Sequence, residues 1–233
     1  MLVNENSAIQ ASKQAYTNTL EPFEKAGKLD NNPAQVKRIK TITDKLIQQA
    51  MSLRPNTRDW QWSTKLIDDP QTVNAWCMAG GKMAIYTGLI QKLSATDDEI
   101  AQVMGHEISH ALLNHSAERM SLAMANNLAL ELLQNMTQAN AQHVSLATAA
   151  AQVAITLPNS RGSETEADKL GILLAAKAGY NPNAAVSLWQ KMAQVSGNQG
   201  FEFMSTHPSP ENRQQALQKL IPEMMKHYQS AKK

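Results

Sequence analysis

The pentapeptide His106-Glu107-Ile108-Ser109-His110 is the feature that most constrains this chain. Positions four apart on an α-helix differ by about 40° around its axis, so His106 and His110 present two imidazoles from one face. Two imidazoles one turn apart can bind a zinc ion, and Glu107 lies close enough to accept a proton from a metal-activated water. The motif therefore predicts a zinc-dependent hydrolytic site on a helix.

The residues around the motif predict that helix and its burial. Thr96 can cap the amino terminus, and Glu99 occupies the capping-box position three residues later. Apolar residues then recur at helical spacing through the motif, as in an amphipathic helix that packs against a core. They are Ile100, Val103, Met104, Ile108, Ala111 and Leu112.

A catalytic zinc usually has three protein ligands, so a further donor is expected downstream. Residues 160–174 predict a second helix, on which Glu164 and Asp168 are four positions apart. Glu164 can bind the metal, while Asp168 can accept the outer N–H of a ligating histidine. Glu166 is a competing carboxylate that we interpret as solvated surface or as a partner for Arg161.

Three motifs in this order resemble metallopeptidase family forty-eight, the gluzincins that include HtpX, CAAX prenyl endopeptidases and Oma-type proteases. They are His-Glu-x-x-His at 106–110, Ser-Arg-x-x-Glu-x-x-Ala-Asp at 160–168 and His-Pro-x-x-x-x-Arg at 207–213. The resemblance implies one Zn²⁺ per chain. It makes His106, His110 and Glu164 the ligands, Glu107 the catalytic base and Asp168 an outer partner of the ligands.

The resemblance also assigns the late motif and a strand to the active site. His207 would either hydrogen-bond the tetrahedral intermediate or cap the resting zinc, and Arg213 would be catalytic or an ordinary helical arginine. Asn74, Ala75 and Trp76 match the start of the family's strand segment and become candidates for substrate binding. His115 fits an extended motif, but about 140° of rotation separates it from His110 on a continuous helix, which favours a structural role.

The overall pattern predicts an α+β fold: a mostly helical, zincin-like (gluzincin) domain with a small sheet beside the motif helix. We expect a helical lead over residues 1–32 and the metallopeptidase domain over residues 33–233. Helices are predicted to begin at Asn32-Pro33, Asn181-Pro182 and Ser209-Pro210, with Pro222 interrupting the last. Strands are predicted at Trp60–Leu66 and, after the Gly80-Gly81 turn, at Lys82–Thr87.

Two segments leave alternatives open. An exposed strand within residues 76–90 could bind an extended peptide by strand addition, which would suit unfolded or damaged protein; the alternative is an internal strand. Between Arg119 and Arg161 the only charged residue is Glu131. That segment would be either two helices packed over the catalytic helix or a lid that contacts substrate.

The composition of the chain argues against some classes of binding partner. A net charge of +2 and 5% aromatic residues, without a basic stripe, argue against nucleic acid. No apolar run reaches about 18 residues, so no membrane span is expected. The first residues do not resemble a signal peptide. On resemblance to soluble members such as BepA and LoiP, we expect a bacterial periplasmic protein, with a lipid anchor on its precursor.

The function predicted is a zinc metalloendopeptidase that hydrolyses peptide bonds of unfolded or damaged proteins, a quality-control activity. The alternative is a latent or inactive, zinc-capped module that binds protein like a chaperone. His207 keeps that alternative open, because a fourth protein ligand would resemble a structural zinc site.

Overall fold

The computed structural model describes residues 2–137, 145–155, 157–195, 202–208 and 212–233. Helices surround a small sheet, as the sequence predicts. The helices are α1 (Glu5–Lys25), α2 (Pro33–Leu53), a 3-10 turn (Pro55–Asp59), α3 (Thr87–Lys92), α4 (Asp97–Leu112), α5 (His115–Thr137), α6 (Leu146–Ile155), α7 (Arg161–Lys177), α8 (Ala184–Val195), α9 (Glu202–Thr206) and α10 (Arg213–Ala231). The strands are β1 (Ser63–Ile67), β2 (Ala75–Met78) and β3 (Lys82–Tyr86).

The sheet has the order β1-β3-β2, with β3 parallel to β1 and antiparallel to β2. Gly80 and Gly81 connect β2 to β3 with φ of 79° and 77°, a left-handed conformation that glycine adopts without strain. A side chain on Gly81 would also collide with the Trp62 ring. The predicted tight turn is therefore confirmed, and β3 is an internal strand.

Both faces of the sheet are buried, because alternate strand residues enter two different apolar clusters. Cys77, Met83 and Ile85 face a cluster that includes residues of α2, α4, α7 and α8. Trp76 and Ala84 face the opposite way, against residues of α1, α5 and α6. The motif helix α4 thus packs on one face of the sheet, and the uncharged segment after it contributes to the other.

Helices α4 and α7 approach each other closely where two glycines meet. A Cβ on Gly171 would lie 2.8 Å from the backbone N and Cα of His106, and a Cβ on Gly105 would lie 2.9 Å from the Gly171 carbonyl. Real Cβ atoms do not come that close to backbone. The absence of side chains at this crossing brings the carboxylates of α7 within reach of the histidines of α4.

Two predicted boundaries differ from the structure. The first strand begins at Ser63 and not at Trp60, because residues 55–59 form a 3-10 turn and Trp60 is its C-cap residue. Pro222 does not end the last helix, which continues through Ala231. Leu217 and Met224 are buried on either side of Pro222, and Gln218, whose carbonyl loses its helical donor, is exposed to water. The start predicted at Ser209-Pro210 lies outside the described residues.

The segment between Arg119 and Arg161 contains two helices, α5 and α6. Ala150 and Val153 of α6 pack in the cluster with Trp76, and Met120 of α5 joins them. These helices therefore cover the sheet face opposite the α4 cluster, rather than lying over the catalytic helix. Residues 138–144 between them lie outside the described part of the chain.

The α+β class with a small sheet beside the motif helix is confirmed. Helix α1 packs its alanines, with Tyr16 and Leu20, into the cluster that contains Trp76. The division at residues 32 and 33 stays a prediction. Among the described helices, none combines the length and the apolar character that crossing a membrane requires.

Candidate metal centre

Helix α4 presents the two predicted histidine ligands side by side. The expected capping box is present: Thr96 accepts a hydrogen bond from the Glu99 backbone N–H, and the Glu99 carboxylate accepts one from Thr96. One turn apart, the Nε2 atoms of His106 and His110 are 3.1 Å from each other. Both side chains are buried. The helix therefore aims two imidazole nitrogens at a single point.

Helix α7 brings Glu164 to the same point. Ser160 caps this helix by accepting a hydrogen bond from the Ser163 backbone N–H, which places Glu164 in the first turn. The Glu164 carboxylate is fully buried, with Oε2 3.3 Å from Nε2 of His106 and Oε1 3.2 Å from Nε2 of His110. The carboxylate faces both imidazoles at once.

His207 completes a four-residue cluster. Its Nδ1 is 3.2 Å from Nε2 of His106 and 2.9 Å from Oε1 of Glu164. Its Nε2 is 3.3 Å from Oε1 of Glu107. His207 thus lies between the ligand set and the predicted base, and in this conformation it offers a fourth donor.

The spacing of these donors fits a tetrahedral zinc ion. With metal–ligand bonds of about 2.0–2.1 Å, donor atoms at the corners of a tetrahedron are separated by about 3.3 Å. The separations from His106 Nε2 to His110, Glu164 and His207 are 3.1, 3.3 and 3.2 Å. In the described residues, His106, His110, Glu164 and His207 form the one group of donors close enough to hold a metal ion.

A buried cation holds the carboxylates of α7 in place. Nη2 of Arg213 donates to Oδ1 of Asp168 at 2.6 Å, and Nη1 lies 3.1 Å from Oε2 of Glu164. Oδ1 of Asp168 is in turn 3.0 Å from Nδ1 of His106, the nitrogen that faces away from the cluster. The guanidinium is stacked 3.4 Å from the ring centroid of Trp189. Arg213 and Asp168 therefore contact the ligands, and Arg213 is not a surface arginine.

His110 also has an outer partner, which the sequence did not identify. Its Nδ1 is 2.9 Å from Nδ1 of His115, and Nε2 of His115 is 3.3 Å from Oε2 of Glu166. The spacing of His115 after the motif was the available signal for this contact. On an unbroken helix, however, His115 would point away from His110. The chain instead turns at Asn114, whose φ is 60°, and starts α5 at His115.

Burial and the local charges set the protonation of the cluster. Burial acts to lower the pKa of His106, but the Glu164 and Asp168 carboxylates outweigh it and raise that pKa to about 9. Burial holds the pKa of His110 well below its usual value, so this ring is neutral. Burial opposes ionisation of Glu164, yet the surrounding histidines keep its pKa low. Without metal, the cluster thus retains a positive charge on His106.

The predicted base is buried beside the cluster. Burial raises the pKa of Glu107, and its Oε1 accepts no hydrogen bond within the described residues. Arg119, which the sequence did not single out, exerts an electrostatic effect on Glu107 and donates to the Leu157 carbonyl at 2.9 Å. Asn159 was also missed: its Nδ2 is 3.2 Å from Nδ1 of His207. No residue pattern pointed to either.

The three candidates for substrate binding lie at the edge of the sheet. Asn74 precedes β2, and Ala75 and Trp76 begin it; each is 1% exposed. Nδ2 of Asn74 and Nε1 of Trp76 are buried without a hydrogen-bond partner in the described residues. Since β3 is the central strand, only β2 and β1 can offer a free edge to a peptide.

Comparisons with known proteins agree with the three motifs. A family model described as Peptidase family M48 matches residues 33–221. Mitochondrial metalloendopeptidase OMA1 of Arabidopsis thaliana is 35% identical over 158 residues, which cover 67% of this chain and 31% of that protein. Metalloendopeptidase OMA1, mitochondrial, of Homo sapiens is 32% identical over 227 residues, or 92% of this chain and 42% of that protein. Metalloprotease YcaL of Escherichia coli strain K12 is 31% identical over 151 residues, which cover 64% of this chain and 58% of that protein.

These relatives correct one expectation. The bacterial periplasmic location is wrong, because the relatives from Arabidopsis thaliana and Homo sapiens are named as mitochondrial enzymes. This chain spans less than half the length of either. The resemblance seen in the motifs is itself confirmed, since the family model matches most of the chain. The chain belongs to peptidase family M48.

Proposed function

We propose that this chain is the catalytic domain of a zinc-dependent metalloendopeptidase that cleaves protein substrates. The observation that carries the proposal is the convergence of His106, His110 and Glu164. The two Nε2 atoms are 3.1 Å apart, and one oxygen of the Glu164 carboxylate lies 3.3 Å from His106 while the other lies 3.2 Å from His110, distances that suit a shared zinc ion. The names of the relatives, metalloendopeptidase and metalloprotease, support the same chemistry.

Zinc in this site would supply Lewis acidity, lowering the pKa of water from about 15.7 to about 7 and polarising the scissile carbonyl. Glu107 would act as the general base and return the proton to the leaving nitrogen. Its burial favours this role, because a carboxylate with a raised pKa is a stronger base. Asp168 would fix the orientation of the His106 ring, and Arg213 would hold the carboxylates of Asp168 and Glu164 in place.

We infer that His207 stands where a reacting water would have to bind. Its Nδ1 is 3.2 Å from Nε2 of His106, and its Nε2 is 3.3 Å from Oε1 of Glu107. We infer that this conformation is a capped, resting one. Once displaced, His207 would be close enough to hydrogen-bond the developing oxyanion.

A peptide would pair with the outer edge of β2 at Asn74, Ala75 and Trp76, and binding would have to uncover this edge, because each of the three residues is 1% exposed. Strand addition recognises backbone more than side chains, so unfolded or damaged proteins are the substrate class that it suits. A role in protein quality control follows from that choice of substrate. The Asn74 Nδ2, which is buried without a hydrogen-bond partner among the described residues, supports a ligand in this region.

Digestion of casein, with and without a chelator, tests the proposed activity. We expect the zinc-loaded protein to cleave casein, the chelator to stop cleavage, and Glu107→Gln to bind zinc without cleaving. Full activity of the Glu107→Gln variant would remove the base assignment. Binding of casein by the zinc-loaded wild-type protein without any cleavage would instead favour the chaperone-like module.

The variant His207→Ala tests whether the capped site belongs to a resting enzyme or to a permanently inactive protein. Removal of a capping side chain should increase casein cleavage while leaving three protein ligands for zinc. If His207→Ala retains zinc but loses activity, the contribution of His207 to the reaction outweighs any inhibition by capping.

A further inference from the structure

His115 is the buried titratable residue beside the cluster to which the proposed reaction gives no task. It starts α5, immediately after the turn at Asn114, and is 4% exposed. Its two ring nitrogens have different partners: Nδ1 meets Nδ1 of His110 at 2.9 Å, and Nε2 meets the Glu166 carboxylate at 3.3 Å. The carboxylate of Glu166 is 66% exposed, so the row of contacts runs from the cluster to the surface.

Only one arrangement of protons lets His110 bind a metal through Nε2. The Nε2 lone pair must face the metal, so the neutral His110 ring carries its proton on Nδ1 and donates it to His115. His115 must then accept at Nδ1 and carry its own proton on Nε2, where Glu166 accepts it. The reverse arrangement would put a proton on Nε2 of His110 and block the ligand position.

From this geometry we propose that His115, oriented by Glu166, is a positioning residue that fixes the metal-binding tautomer and ring orientation of His110. It does for His110 what Asp168 does for His106. Outer partners of this kind typically contribute about 10–100-fold to metal affinity. The proposal rests on the zinc site of the proposed function.

Zinc affinity, measured by competition with a chromophoric chelator, tests the role of His115. His115→Phe fills the same space without an acceptor, so we expect zinc affinity to fall about 10–100-fold. His115→Gln supplies an amide oxygen that can accept from His110, and it should recover most of that loss. Glu166→Ala should weaken binding less, because Glu166 is exposed, and Glu166→Gln should stay close to wild type.

The matched control is His227→Phe on α10, the same substitution at a histidine outside the cluster. It should bind zinc as the wild-type protein does. Equal affinities for wild type and His115→Phe would overturn the positioning role. A wild-type protein that binds no zinc would instead overturn the proposed function, so the two failures are distinguishable.

Nitrogen-15 NMR of the zinc-loaded wild-type protein gives a second test that does not depend on any variant folding. The spectra should show His110 protonated at Nδ1 and His115 protonated at Nε2. A proton on Nδ1 of His115 would show that it donates to His110, and the proposal would fail.

Discussion

Arg213 is the residue on which the charge balance of the site depends. Two carboxylates, Glu164 and Asp168, approach its guanidinium, and the Arg213 side chain is 1% exposed. Removing one partner of a buried ion pair leaves the other charge incompletely compensated, which typically costs about 3–5 kcal/mol. In metal-free protein, Arg213 and the protonated His106 supply the positive charge near Glu164.

Arg213→Met should therefore destabilise the metal-free protein by about 3 kcal/mol or more. The loss should be smaller with zinc bound, since the metal also neutralises Glu164. Urea unfolding with and without zinc measures both values. Arg58→Met removes an exposed arginine and should change neither, whereas equal losses for Arg58 and Arg213 would contradict this account.

Zinc binding should release a proton from His106. Its pKa of about 9 in the metal-free site means that the ring is protonated at pH 7, and a ligand nitrogen must be neutral. Apparent zinc affinity should then rise with pH until about 9 and level off above it. Calorimetry in buffers of different ionisation enthalpy should report about one proton released at pH 7 and almost none at pH 10. Release of no proton at pH 7 would mean that His106 is neutral without metal.

At the scale of elements, the crossing of α4 and α7 decides whether the ligands meet. Gly171 lets α7 touch the backbone of His106, so a methyl group there must push the two helices apart. The displacement would be transmitted to Glu164 and Asp168, which lie one to two turns earlier on α7. Ordinary helix propensity predicts the opposite outcome, because alanine is favoured over glycine inside a helix by about 1 kcal/mol.

Gly171→Ala should destabilise the protein by about 1–3 kcal/mol and weaken zinc binding. The matched control lies on the same helix: a Cβ on Gly162 would meet only the Ser160 Oγ at 3.7 Å. Gly162→Ala should be neutral or stabilise by up to about 1 kcal/mol. Thermal unfolding and chelator competition compare the two. If both variants behave alike, the crossing does not set the ligand geometry.

The sequence predicted the parts of this site that one regular element contains. His106, Glu107 and His110 share a helix whose cap and apolar face were visible, and Glu164 with Asp168 followed from their spacing. The place of His115 could not be predicted, because it depends on the left-handed residue Asn114, which ends α4 and redirects the chain. Arg213 lies on a different helix from the two carboxylates, and spacing along the sequence does not predict distances between separate helices.

For the whole molecule, zinc would join three parts of the chain: α4, α7 and the segment that carries His207. Binding to the folded state alone stabilises it by about 2.7 kcal/mol when free zinc is about 100 times the dissociation constant. For a chain of this size we expect a chelator to lower the thermal midpoint by about 5–10 °C. Glu164→Ala should remove most of that difference. If the chelator leaves the thermal midpoint unchanged, zinc does not cross-link the fold.

The distance in sequence between the two halves of the site has a consequence for biosynthesis. The histidine pair leaves the ribosome well before Glu164 does, and the α4–α7 crossing forms only after both helices exist. A growing polypeptide therefore has no competent centre with which to digest itself or its neighbours. On the proposed function, folding would itself be the first safeguard against untimely proteolysis.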